Sequence, residues 1–214
     1  MTEFMLIGQK DNAVAMAKYM RNQFPFVGVK SPDRKNQSKE LIKESKQMSL
    51  KDLEELIRKL YSRHEREYQN VAIDMCEANI KRLSWRELKS LSSLILDRPW
   101  WDTVDAWRKI YSLYIKQHRT DKEMVFDFFY SHNDFWMRRI GITLQLMEKE
   151  QTDTQLLEKA ILKDLKTEEF FIQKAIGWSL RQYSKTNPDW VEGFISKVEL
   201  SPLAKREGLK QIQK

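Results

Sequence analysis

Apolar residues recur at three- and four-residue steps along most of the chain. "LEELIRKLY" (53–61) and "LLEKAILKDL" (156–165) each set leucine and isoleucine on one side of a helix. No segment alternates apolar and polar positions as a half-buried strand does. Helix-start signals punctuate the pattern. Ser31-Pro32, Asn187-Pro188 and Ser201-Pro202 read as a capping residue followed by proline at the first helical position. Ser84 with Glu87, Thr120 with Glu123 and Thr152 with Gln155 have capping-box spacing, and Pro99 reads as a first helical residue.

These signals predict about twelve helices. They fall near 11–24 and 31–46, 49–62 and 65–82, 84–97 and 99–117, 120–130 and 133–149, 152–165 and 168–185, 187–197 and 201–213. The second helices of these pairs begin near Ser31, Glu65, Pro99, Asn133, Glu168 and Ser201, a step of roughly 34 residues, as stacked helical pairs require. No residue signature repeats with that step, and the tryptophan, leucine-glycine and tyrosine pattern of tetratricopeptide repeats is missing. The expectation is an all-α, HEAT-like solenoid of about six stacked helix pairs, a single domain over 1–214, with the second helices lining its concave face.

Composition agrees with helices and adds a charge. Only 6 glycines and 5 prolines occur, which disfavours a turn-rich all-β chain. The single cysteine, Cys76, excludes an intramolecular disulfide and a thiolate metal cluster. No metal and no cofactor are expected. "MTEFMLIGQK" has no basic lead before an apolar run, and no apolar run is long enough to span a bilayer. A cytoplasmic monomer with no membrane partner is therefore expected. The net charge of +7 suits an acidic partner, nucleic acid first, although spread over a surface it would serve solubility alone. The second helices hold Trp100, Trp101, Asp105, Trp136, Arg138, Arg139, Lys174, Trp178, Arg181, Lys205 and Arg206. Basic and aromatic residues recurring there predict a basic concave groove that accepts duplex DNA.

One stretch pairs residue types that conflict in a core. In "RPWWDTVD" (98–105), Trp101 and Asp105 are four residues apart and share a helical face. Trp100 points about 100° away from Trp101, so one indole can enter the core while the other does not. Asp102, in the first turn, needs no function beyond facing the helix dipole. An indole beside a carboxylate attracts a cation. Spacing alone serves equally well a structural pair between Asp105 and an arginine such as Arg139.

Four stretches together narrow the reading: "AMAKYMRNQFPFVGVKSPDR" (15–34), "RPWWDTVD", "EEFFIQKAIGWSLRQYSKTNP" (168–188) and "ELSPLAKRE" (199–207). In order and spacing they resemble the bacterial AlkD-type alkylpurine DNA glycosylases, HEAT-like repeat proteins of DNA alkylation repair. The resemblance runs from Ala15 to the C-terminus. It implies hydrolysis of the N-glycosidic bond of cationic N3- and N7-alkylated purines in duplex DNA, with the base left stacked. It makes Trp101, Asp105 and Trp178 the catalytic residues, and Arg139 a DNA contact near the lesion. Tyr19, Lys174, Arg181, Lys205 and Arg206 are the further expected DNA contacts. His64, His118 and His132 lie outside these stretches and receive no role.

The family pattern has two helices ahead of the "YM…F…G" segment, whereas the residues before Met16 leave room for one helix near 11–24 and a short lead such as "EFMLIG". A missing helix would remove phosphate contacts and flatten the salt dependence of binding by roughly 0.9 per phosphate. A non-catalytic family member, binding DNA weakly, structure-specifically or not at all, is the alternative. A protein-binding helical scaffold is the second.

Overall fold

The computed structural model describes residues 4–212, and among them the chain is helical throughout, with thirteen α-helices and no strand. Contacts cluster into two compact units, Met1–Asp97 and Arg98–Lys214. The first holds α1 (Lys10–Tyr19), α2 (Ser31–Gln37), α3 (Lys39–Ser45), α4 (Leu50–Tyr61), α5 (Arg66–Ala78) and α6 (Trp85–Leu91). The second holds α7 (Trp101–Gln117), α8 (Lys122–Tyr130), α9 (Phe135–Thr143), α10 (Thr154–Lys163), α11 (Phe170–Tyr183), α12 (Pro188–Lys197) and α13 (Pro202–Leu209). Within the units α4 packs on α5, α8 on α9, and α11 on both α9 and α13, an arrangement consistent with a helical-repeat fold. No described helix is long and apolar enough to cross a membrane.

The apolar stripes do what their spacing predicts. Leu53, Ile57, Leu60 and Tyr61 of α4 are buried against α5, which contributes Val71, Ala72, Met75 and Cys76. In the second unit Val104, Trp107, Ile110 and Tyr111 of α7 join Phe126 and Phe129 of α8 and Ile140 of α9. Burying each such side chain contributes roughly 1.5–3 kcal/mol. The Cys76 thiol lies wholly inside this packing, and desolvation pushes its pKa far above the usual thiol value, so it does not act as a thiolate.

Several helix ends differ from the sequence prediction. The capping box of Ser84 and Glu87 forms, and Asn187 and Ser201 cap α12 and α13 with their side chains. Ser31 is instead inside α2, with Lys30 as the N-cap. Asp153 caps α10 in place of Thr152, accepting from the Gln155 and Leu156 amides at 2.9 and 3.1 Å. Thr120 caps nothing, because a 3-10 turn at Arg119–Asp121 leads straight into α8. The helix predicted over 31–46 breaks at Ser38, whose hydroxyl donates to the Arg34 carbonyl (2.9 Å), and the one predicted over 133–149 ends at Thr143. Pro99 precedes α7 rather than opening it: Trp100 is the extended N-cap (φ −156°, ψ 163°) and Trp101 the first helical residue.

Between residues 4 and 30 the described chain contains one helix, α1. Its C-terminal end turns through Arg21 and Asn22, both left-handed (φ 55° and 56°), into the segment that ends at Gly28.

Candidate functional site

The second unit gathers the catalytic candidates. α7 carries Trp101 and Asp105, α9 carries Arg139, and α11 carries Trp178. The extended conformation of Trp100 sends its indole into an aromatic cluster, 6.0 Å from Trp136 and 5.1 Å from Phe171, and the latter two rings are 4.8 Å apart. Trp100 therefore anchors the start of α7, and half-buried Trp101 follows it around the helix.

Asp105 is held by two parallel hydrogen bonds from Arg139, Nε to Oδ1 at 2.9 Å and Nη2 to Oδ2 at 2.8 Å. Arg139 also donates from Nη1 to the Phe171 carbonyl at 2.6 Å. With the Arg139 side chain 6% exposed and that of Asp105 20% exposed, the arginine is enclosed while the carboxylate keeps an open edge. A bidentate arginine fixes the plane of a carboxylate more tightly than one hydrogen bond can. The structural pair with Arg139 that the spacing allowed therefore forms, and it fixes the orientation of a carboxylate that stays partly exposed.

One turn beyond Asp105, and not singled out from the sequence, lies Arg108. It is 9% exposed, its guanidinium carbon is 5.8 Å from the centre of the Trp178 ring, and its Nε is buried without a hydrogen-bond partner. Burial pushes its pKa below the ordinary guanidinium value; nearby Asp105 opposes that shift and Arg139 reinforces it. The only sequence signal was its three-residue step from Asp105.

The remaining predicted contacts separate into two groups and one outlier. Lys174 and Arg181 are both tied to Glu207, at 3.3 and 2.9 Å, as is Lys210 at 2.6 Å. Gly177, of the "AIGW" stretch, explains how Glu207 comes so close: a Cβ there would lie 2.5 Å from the Glu207 Cβ and 2.9 Å from the Ala204 carbonyl oxygen. Only glycine lets α13 seat this closely on α11. Lys205 and Arg206 lie on the exposed side of α13 and make no ion pair among the described residues. Tyr19, 72% exposed, ends α1 in the first unit.

The Glu207 carboxyl is held below the usual range, first by the Lys210 hydrogen bond and then by Lys174, against the opposing effect of burial. A depressed carboxylate contributes stability that is full above its unfolded pKa, about 4.3, and is lost as pH falls through the folded value. Glu207→Gln should therefore melt below the wild type at pH 7, with the gap narrowing once the pH drops below the carboxylate range. A gap of equal size at both pH values would show that the ion cluster is not what links α11 to α13.

An all-α chain of packed helices, with the candidate carboxylate and indoles carried on helix faces, is consistent with the class of helical-repeat proteins. A family model described as DNA alkylation repair enzyme matches residues 1–212, and the chain belongs to that family. Among solved structures, a chain described as a predicted DNA alkylation repair enzyme from Enterococcus faecalis is 46% identical. That similarity covers 99% of this chain and 100% of that one, with a TM-score of 0.97. No curated protein matches.

Proposed function

We propose that the chain is a glycosylase that hydrolyses the N-glycosidic bond of cationic N3- and N7-alkylated purines in duplex DNA. The observation that carries this reading is the Asp105 carboxylate, clamped by Arg139 yet open on one edge, four residues from Trp101. An alkylated purine already bears a positive charge. When its C1′–N9 bond breaks, the base leaves with the bonding electrons as a neutral purine and the sugar becomes oxocarbenium-like. Asp105 stabilises that cation and orients a water for attack at C1′; the water's proton goes to solvent as the new C–O bond forms. Trp101 and Trp178 add attraction of their ring faces for the same cation. A leaving group this good needs no general acid.

Arg139 serves by holding Asp105 in one plane, since a carboxylate free to rotate would lose most of its positional advantage. Duplex DNA is the partner, and Lys205, Arg206 and Tyr19 remain proposed contacts to it.

A second reading, binding of duplex DNA without excision, is favoured by Arg108, which already occupies the neighbourhood of Trp178. One assay separates the two. Purified protein in excess over duplex DNA carrying N7-methylguanine, at low salt, is expected to release free base faster than spontaneous depurination does. Release at the spontaneous rate, at any protein concentration, overturns the glycosylase reading.

A further inference from the structure

Near Trp178 the protein's own charges leave an excess of one positive charge. Asp105 is matched by Arg139 through both of its oxygens. Arg108, three residues along the same helix and 9% exposed, makes no hydrogen bond or ion pair among the described residues; it lies 5.8 Å from the Trp178 ring centre and feels the charges of Asp105 and Arg139 through space. Two guanidiniums and one carboxylate leave one positive charge uncompensated in a largely desolvated place. An enclosed cation without a counter-charge is costly, and an arriving anion relieves that cost.

The geometry says which anion. Attraction to an indole face uses none of the guanidinium's N–H donors, so they stay available to an anion. Those donors form a flat fork that matches the paired oxygens of a phosphate. Nε is the buried nitrogen, so the residual exposure of the fork lies toward its terminal nitrogens. We propose that Arg108, steadied by Trp178, is an oxyanion subsite that takes the non-bridging oxygens of a DNA backbone phosphodiester. A phosphate seated there would bring the adjoining sugar toward Asp105, one turn away on α7. DNA as the source of the anion rests on the DNA reading above; the subsite itself does not.

The test compares wild type with Arg108→Met, which keeps the bulk of the side chain and removes the uncompensated charge, so the variant should melt no lower than wild type in chloride buffer. Two arms follow, neither using alkylated DNA nor measuring excision, so a failure of the glycosylase reading leaves them intact. In the first, thermal melts are run as inorganic phosphate replaces chloride at constant ionic strength. In the second, affinity for a short unmodified duplex is measured across a salt series. Wild type is expected to gain stability from phosphate, and the variant none. The variant should bind the duplex about 10-fold more weakly at low salt, and its slope of log affinity against log salt should be shallower by about 0.9, the value of one phosphate contact. A changed slope alone supports a phosphodiester ligand. A phosphate effect with unchanged duplex binding keeps the subsite and overturns DNA as its ligand. No difference in either arm overturns the proposal.

Discussion

Asp105→Asn is expected to slow release of N7-methylguanine by about 100- to 1,000-fold in a single-turnover assay, the usual cost of removing one electrostatic stabiliser of a transition state. Asparagine keeps the shape of the side chain and can still accept one hydrogen bond from Arg139, through its amide oxygen. What it loses is the negative charge facing the developing sugar cation, and its amide nitrogen presents a donor where a second guanidinium donor points. The loss belongs to the chemical step. Affinity for duplex DNA should hold or rise, because one negative charge has left a surface that meets phosphates. A fall in binding with no change in the single-turnover rate would assign Asp105 to DNA recognition. An unchanged rate would remove it from the mechanism, and with it the observation on which the proposed function rests.

Most helices and some of their caps were legible because they depend on near neighbours. The leucine spacing of α4 and α10 and the capping box of Ser84 and Glu87 follow from local geometry, and the structure contains them. The start of α7 was misplaced for a reason no local rule carries. Trp100 is extended because its indole packs against Trp136 and Phe171, whose helices begin 35 and 70 residues later. The site divides along the same line. The four-residue step from Trp101 to Asp105 is a sequence fact, and so is the presence of Arg139 on another helix. That Arg139 rather than a neighbouring arginine would clamp Asp105 is a tertiary one: adjacent Arg138 turns instead to Asp164, 2.9 Å away. Arg108 offered only its three-residue step from Asp105, and Glu207 only its place at the end of the "ELSPLAKRE" stretch. In a chain with 32% charged residues, one more arginine or glutamate on a helix stands out only when its burial is seen.

Glu67 is the extreme case, and the largest stability effect is expected there. It is fully buried in the first turn of α5, where the helix dipole favours a carboxylate. Its oxygens accept the backbone amides of Val27 (3.0 Å), Gly28 (2.8 Å) and Val29 (3.1 Å). The neighbouring Arg66 amide donates to the Pro25 carbonyl at 3.0 Å, and the Arg66 guanidinium lies 3.9 Å from the centre of the Phe24 ring. The "FPFVGV" stretch is thus a loop wrapped around one carboxylate. Gly28 is left-handed (φ 91°), and a Cβ there would come within 2.0 Å of the Gln9 carbonyl oxygen, so the same loop also seats the start of α1. Glu67→Ala strands three amide donors at roughly 1–3 kcal/mol each, and with partial relaxation the net loss should be about 4 kcal/mol. Glu67→Gln, keeping one acceptor, should fall between the variant and wild type. Urea denaturation measures the loss. Hydrogen exchange locates it, since the Val27, Gly28 and Val29 amides should lose protection before the core of α4 does. Because α1 hangs from this loop, the variant should also loosen the helix that presents Tyr19. A Glu67→Ala protein within about 1 kcal/mol of wild type would mean that water satisfies the three amides as well as the carboxylate does.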